Sequence, residues 1–201
     1  KYNWVVGSQF NVNDAFEITP STAVGGDTHS TPALLIDPAG DVGIGVAPYS
    51  NAKVTIGGTQ GSGYSSVLQF DNNDAGGAEF FMLASDNNWS AGPDRFLMGH
   101  GSPSSSNVDM VINSDGEVGI GVWSPTMPLV VASTTNYTAP SLGSSDGHFA
   151  IVKKDAAATG NYGITMGVDS SGSGWLQQMR IDNIGTAYNF NIQPSGGNVM
   201  I

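Results

Sequence analysis

Three histidines, His29, His100 and His148, are the only imidazoles in the chain. They sit far apart, each among Gly, Ser, Asp or Thr neighbours. No H-E-x-x-H pattern accompanies them, so no zinc helix is indicated. They read as solvated loop histidines. The 17 acidic residues make a facing pair of carboxylates, as glycoside cleavage requires, numerically easy and therefore uninformative. Asp71-Asn72-Asn73-Asp74-Ala75-Gly76 opens like a calcium loop. It lacks an oxygen ligand at its fifth position and a closing Glu at its twelfth, so it reads as a tight turn. The expectation is a chain with no catalytic residue, no metal and no cofactor. Trp89, Trp123 and Trp175 raise sugar stacking, because an aromatic face takes a carbohydrate ring. Trp175 continues an alternating strand and is read as packing under its neighbour. For Trp89 both readings stand, since Asp86-Asn87-Asn88 before it and Ser90-Ala91-Gly92-Pro93-Asp94 after it have the composition of an exposed loop.

The elements that would position these groups are β-strands. Charged residues make up only 11% of the 201 and hydrophobic ones 39%, with 28 Gly and 10 Pro. Polarity therefore comes from Gly, Ser, Asn and Thr, which suits short strands and tight turns and disfavours helices. A formal charge of −11, with no basic cluster beyond Lys153-Lys154, argues against binding nucleic acid or anionic membranes. No apolar run is long enough for a membrane-spanning helix. With no cysteine, disulfides and thiolate metal sites are excluded.

The chain repeats itself. Leu34-Leu35-Ile36-Asp37-Pro38-Ala39-Gly40-Asp41-Val42-Gly43-Ile44-Gly45-Val46 returns as Met110-Val111-Ile112-Asn113-Ser114-Asp115-Gly116-Glu117-Val118-Gly119-Ile120-Gly121-Val122. A third copy, from Phe190 to Ile201, carries one more residue in its turn. The copies are 76 and then 81 residues apart, from Val42 to Val118 to Val199. Self-similarity at this spacing divides the chain into three β-repeats, 1–58, 59–134 and 135–201. Each copy predicts a β-hairpin, with Gly40 and Gly116 in the left-handed position that closes a bulged turn. Short strands follow Pro48 and Pro125, at Val54-Thr55-Ile56 and Leu129-Val130-Val131. A further hairpin is predicted from Tyr162–Val168 and Trp175–Ile181 around a turn at Asp169–Gly174, and an alternating strand at Asn13–Thr19. In the returning strands Gly43 and Gly45, like Gly119 and Gly121, share one face. Bare glycines on a strand face imply close approach of another backbone, and the expectation is a partner chain. The chain opens at Lys1 without Met and stops at Ile201 inside a motif that runs further in its earlier copies; the reading is an internal fragment.

The turn followed by Asp41-Val42-Gly43-Ile44-Gly45-Val46, and again Glu117 to Val122, resembles the "D-G-N-V-G-I-G-T…P" repeat of bacteriophage tail fibres and tailspikes. Trp175-Leu176-Gln177 and the run from Tyr188 to Ile201 also resemble stretches preceding that motif in marine phage fibres. Val46 and Val122 stand where that repeat usually has Thr, and Met200 where it usually has Gly. The resemblance implies an elongated, interleaved homotrimeric fibre segment of all-β hairpins. It also implies location in the virion, outside the cell, with structural and host-attachment roles. Its partners would be two further copies of itself, other tail or fibre proteins and a host cell-surface glycan, with no nucleic acid and no membrane insertion. A bacterial extracellular filament or surface adhesin with the same repeat is the alternative, and a polysaccharide depolymerase a more distant one. Host contact is placed in the stretch from Asp86 to Gly101, on Trp89, Arg95 and His100. That stretch is longer than hairpin closure needs; neutral lengthening is the competing explanation.

Overall fold

The computed structural model describes all residues except 9, 58–65, 73–76, 88, 134, 136–138, 145–146, 155–159, 183–184 and 193–201. Among the described residues the chain is all-β, with fourteen strands in three sheets and a single 3-10 turn at Ser105–Asn107. The first sheet is ordered β1 (Trp4–Ser8), β2 (Phe16–Pro20), β3 (Leu34–Ile36), β4 (Val42–Ile44), β5 (Val54–Ile56). The second contains β6 (Val67–Phe70), β7 (Phe80–Ala84), β8 (Phe96–His100), β9 (Val108–Ile112), β10 (Val118–Ile120) and β11 (Leu129–Val131), again neighbour to neighbour in chain order. The third holds β12 (Phe149–Lys154), β13 (Asn161–Val168) and β14 (Gly174–Arg180). By internal contacts, Lys1–Val130 and Val131–Ile201 form two units.

Both complete copies of the repeat are hairpins. Leu35 faces Gly43 across β3–β4, and Val111 faces Gly119 across β9–β10. A polar side chain nucleates each turn by capping amides that the bend leaves without a ladder partner. The Asp37 carboxylate accepts from the Asp41 amide at 2.9 Å, and the Asn113 carbonyl oxygen from Glu117 N–H at 2.9 Å. Asp169 does the same for Ser173 N–H, at 2.9 Å, between β13 and β14. The fourth residue of each turn is a left-handed glycine, with φ of 77° at Gly40, 81° at Gly116 and 83° at Gly172. After β4 the chain crosses over and β5 pairs parallel with it, Val42 beside Val54. Val42 N–H donates to the Lys53 carbonyl, and Val118 N–H donates to that of Pro128 in the second repeat. Of the third hairpin copy, Phe190 to Ile201, residues 193–201 lie outside the described part.

The structure corrects the reading of the glycine strands. Gly45 and Gly121 lie just beyond the strands, at φ of 72° and 71°, in bends that turn the chain away. Gly43 and Gly119 remain in the strands and are buried. A Cβ on Gly119 would stand 2.6 Å from the Val122 carbonyl oxygen and 2.8 Å from Val111 Cγ1. At Gly43 the corresponding obstacles are the Val46 carbonyl and the Pro48 ring. The backbone that approaches these glycines is the chain's own exit turn, folded back by the left-handed glycine two residues on.

Candidate self-association surface

Residues in register across a sheet share a face, so the pairing fixes what each face carries. In the first sheet, Phe16, Ile36, Val42 and Val54 form one row, and Ile18, Leu34, Ile44 and Ile56 the next, with Val6 opposite Ile18. This face is apolar and partly open to solvent: Val6, Phe16, Ile44 and Val54 are all exposed. The opposite face carries Glu17, Thr19, Leu35 and Gly43, all buried. A strand pattern that ordinarily turns its apolar residues inward here turns them out.

Glu17 shows how the polar face is kept buried. Its carboxylate accepts hydrogen bonds from Asn11 N–H and Nδ2, from Val12 N–H at 3.2 Å and from the Thr19 hydroxyl at 2.8 Å. Burial alone would raise its pKa, but these donors outweigh it and hold the carboxyl at about 2, below the ordinary 4.5. The 10–15 loop thereby closes over the inner face of β2.

The second sheet repeats the arrangement. Leu68, Met82, Met98, Met110 and Ile120 make one row of its outer face; Ala84, Phe96, Ile112 and Val118 make another. Phe70, Phe80 and His100 make the row at the end. Phe80 is 55% exposed and Met98 38%. The inner face packs Phe81, Leu83, Leu97 and Val111 with Trp89 and Ala91 into the core. In the third sheet, Phe149, Met166 and Leu176 lie in register and are all exposed, with Ile151 and Val168 alongside. Its end row is polar, Lys153, Tyr162 and Arg180. There Arg180 makes two bonds to Asp182, 2.9 and 2.6 Å, with its guanidinium 5.8 Å from the Tyr162 ring centre.

The residues singled out for host contact do not come together as one exposed loop. Phe96 to His100 is strand β8, so the connection is confined to residues 85–95. Trp89, only 7% exposed, closes the core of the second sheet; its ring follows the turn inward because Ser85, Gly92 and Arg95 clasp the loop base, Ser85 Oγ donating to the Gly92 carbonyl at 2.7 Å. Arg95 is half-buried and donates to the Trp123 carbonyl. His100 is exposed, its Nδ1 2.8 Å from Asp109 Oδ2, on the rim of an open depression with Gly77, Ala78 and Glu79. Trp175 lies over Gly167 of its own sheet, where an added Cβ would come 2.6 Å from its ring. Residues 73–76 of the calcium-like stretch are outside the described part; among the described residues no group of three His, Cys, Asp or Glu could hold a metal ion.

The sequence reading missed the outer faces as a site. The signal was there: Phe16, Ile18, Leu34, Ile36, Val42 and Ile44 alternate with Glu17, Leu35 and Gly43. Only the burial of Glu17 shows which side is the inside.

No protein-family model matches the chain, and no curated protein does.

Proposed function

We propose that this chain is a structural and host-adhesion segment of a bacteriophage tail fibre, working in the virion, outside the cell, as a homotrimer. The observation that carries the reading is the apolar outer face on each of the three sheets, set against a polar or filled inner face. Exposed apolar area of this extent is removed from water by association, at about 25 cal/mol per Å². A chain of charge −11 repels its own copies at long range, so their contact has to be through such uncharged faces. The repeat that resembles tail-fibre sequences adds the threefold, extended assembly. Host contact, on this reading, belongs to exposed polar groups at the sheet ends, His100 with Asp109 among them, and its partner is a cell-surface glycan.

Light scattering on the purified chain tests the carrying point. The expected mass is three times the 20.7 kDa of the chain, and a stable monomer at micromolar concentration would refute the assembly. Competition then tests the adhesion: the assembled chain added to host cells should reduce phage adsorption. Full adsorption in the presence of an intact trimer would leave the segment a spacer.

A further inference from the structure

The first two sheets correspond strand for strand, except that the first has no counterpart of β6. Ile18 faces Leu34 and Leu34 faces Ile44 across β2, β3 and β4, as Met98 faces Met110 and Met110 faces Ile120 across β8, β9 and β10. β1 continues the match. Its Trp4, Val6 and Ser8 face Pro20, Ile18 and Phe16, as Phe80, Met82 and Ala84 of β7 face His100, Met98 and Phe96. β1 to β5 thus repeat β7 to β11 in order, and β1 to β4 repeat β7 to β10 in register as well. On the second sheet β6 adds one more antiparallel strand to β7, with Leu68 beside Met82 and Phe70 beside Phe80. On the third, β12 stands in the same way on β13, while Ala187 bridges Met179 on the far side of β14, where β9 follows β8. Among the described residues no strand lies on the corresponding edge of β1.

We infer that the open edge of β1 is a docking site for one extended peptide strand of the β6 kind, apolar at alternate residues and added antiparallel. The occupant follows from the correspondence, because β7 and β13 each carry such a strand on the equivalent edge. Its register follows too: a residue in the place of Leu68 lies beside Val6, and one in the place of Phe70 beside Trp4. The side chains of β1 are in the condition that a missing neighbour leaves. Val6 is 62% exposed, whereas its counterpart Met82, with Leu68 alongside, is half-buried. On the other face, Leu83 is buried in the core and Val67 packs against that core. Its counterpart Gly7 has nothing within 4 Å of where a Cβ would stand, which is room for a side chain in the place of Val67. The backbone groups of β1 that point away from β2 would supply the affinity, and the alternate side chains the selectivity. Trp4-Val5-Val6-Gly7-Ser8 contains neither a charge nor a proline, the devices that close an edge to a further strand. The inference rests on the correspondence of the sheets and does not use the self-association reading.

The test supplies the strand in two ways and reads amide hydrogen exchange along β1. In the first, a second copy of the segment from Ser66 to Gly76 is joined ahead of Lys1, so that Phe70 of the added copy is as far along the chain from Trp4 as Phe70 is from Phe80. Tethering holds the added strand near β1 at an effective concentration in about the millimolar range. The β1 amides that point away from β2 should then exchange about tenfold or more slowly than in the unextended chain. A control carries Leu68→Asp and Phe70→Asp in the added copy alone and should leave β1 exchanging as it does without any addition. In the second, a free peptide with the sequence Ser66 to Asn72 is titrated into the unaltered chain, which removes any effect of the extension on folding. It should slow the same amides, saturably, and leave those of β5, β11 and β14 unchanged. Exchange at β1 that neither form of the strand slows would overturn the inference. Equal slowing by the native and the Asp-bearing additions, or protection at another edge in place of β1, would overturn it as well.

Discussion

Adding one methyl group to Gly119 should destabilise the folded chain, and adding it to Gly7 should not. Both glycines lie in strands outside the left-handed region, so no backbone strain separates them. At Gly119 the new Cβ meets a carbonyl oxygen at 2.6 Å and a valine methyl at 2.8 Å; at Gly7 nothing lies within 4 Å. The obstructing carbonyl is backbone, fixed by the bend at Gly121, and Val111 is itself completely buried, so neither can yield freely. Overpacking of this kind costs about 1–3 kcal/mol. Replacing glycine with alanine in a strand returns about 0.5–1 kcal/mol through the unfolded chain. The net expectation is a loss of about 1–2 kcal/mol for Gly119→Ala and a gain of up to about 0.5–1 kcal/mol for Gly7→Ala. Urea denaturation followed by tryptophan fluorescence would measure both. Because the obstacle belongs to the same chain, the Gly119→Ala penalty should be the same in any folded monomer as in the assembly. Equal effects of the two substitutions would refute the close-approach argument. A penalty present only in the assembled state would return the glycine face to a partner chain.

Trp89→Ala should cost about 3–5 kcal/mol of folding stability, read by thermal or urea unfolding, because it empties the lid of the second sheet's core; a merely adhesive Trp89 would leave the unfolding midpoint unchanged. Val118→Ala removes apolar surface from an outer face, so its effect should appear as a concentration-dependent loss of assembly in sedimentation rather than as a loss of fold. Glu17 has a folded-state pKa of about 2 against an ordinary 4.5. Its contribution is therefore complete above about pH 4.5 and is lost as pH falls through 4.5 toward 2. Glu17→Gln should flatten the acid limb of a stability-against-pH curve in that window. An unchanged acid limb would show that the 10–15 loop is held by other contacts.

Much of the fold could be read locally. Turns announced themselves because an Asp or Asn cap and a glycine three residues later decide the bend within five residues, as at Asp37–Asp41 and Asn113–Glu117. Asp169–Ser173 obeys the same rule, and its Gly172 could have been placed left-handed by analogy with Gly40. What local pattern does not decide is which object fills a glycine's missing side chain. Gly43 and Gly119 do require a close neighbour, but that neighbour is the carbonyl of the residue after Gly45 or Gly121, and a short-range bend satisfied what had suggested an intermolecular contact. Asp86–Gly101 failed for another reason. Its Ser, Gly, Pro and Asn content described residues 85–95 correctly as a connection, yet Trp89 folds inward, where its ring joins Phe81 and Leu97 in the core and takes a large apolar area out of water.

The inversion of the sheets is the fact with the widest consequence. Alternation in β2 gives two possible insides, Phe16 and Ile18 or Glu17 and Thr19, and apolar content alone would choose the first. The folded chain chooses the second because the inner side already has its donors: Asn11, Val12 and Thr19 satisfy Glu17 completely enough to offset its desolvation. On the outer side, Phe16 continues through Ile36 and Val42 to Val54 without a polar interruption and without any segment of this chain described over it. An apolar face spanning four strands is the kind of surface that marks an interaction site. The same outcome recurs in the row of Met82, Met98 and Met110 and in the row of Phe149, Met166 and Leu176. Each of the three sheets makes this choice on its own, and that recurrence is what the proposed self-assembly rests on.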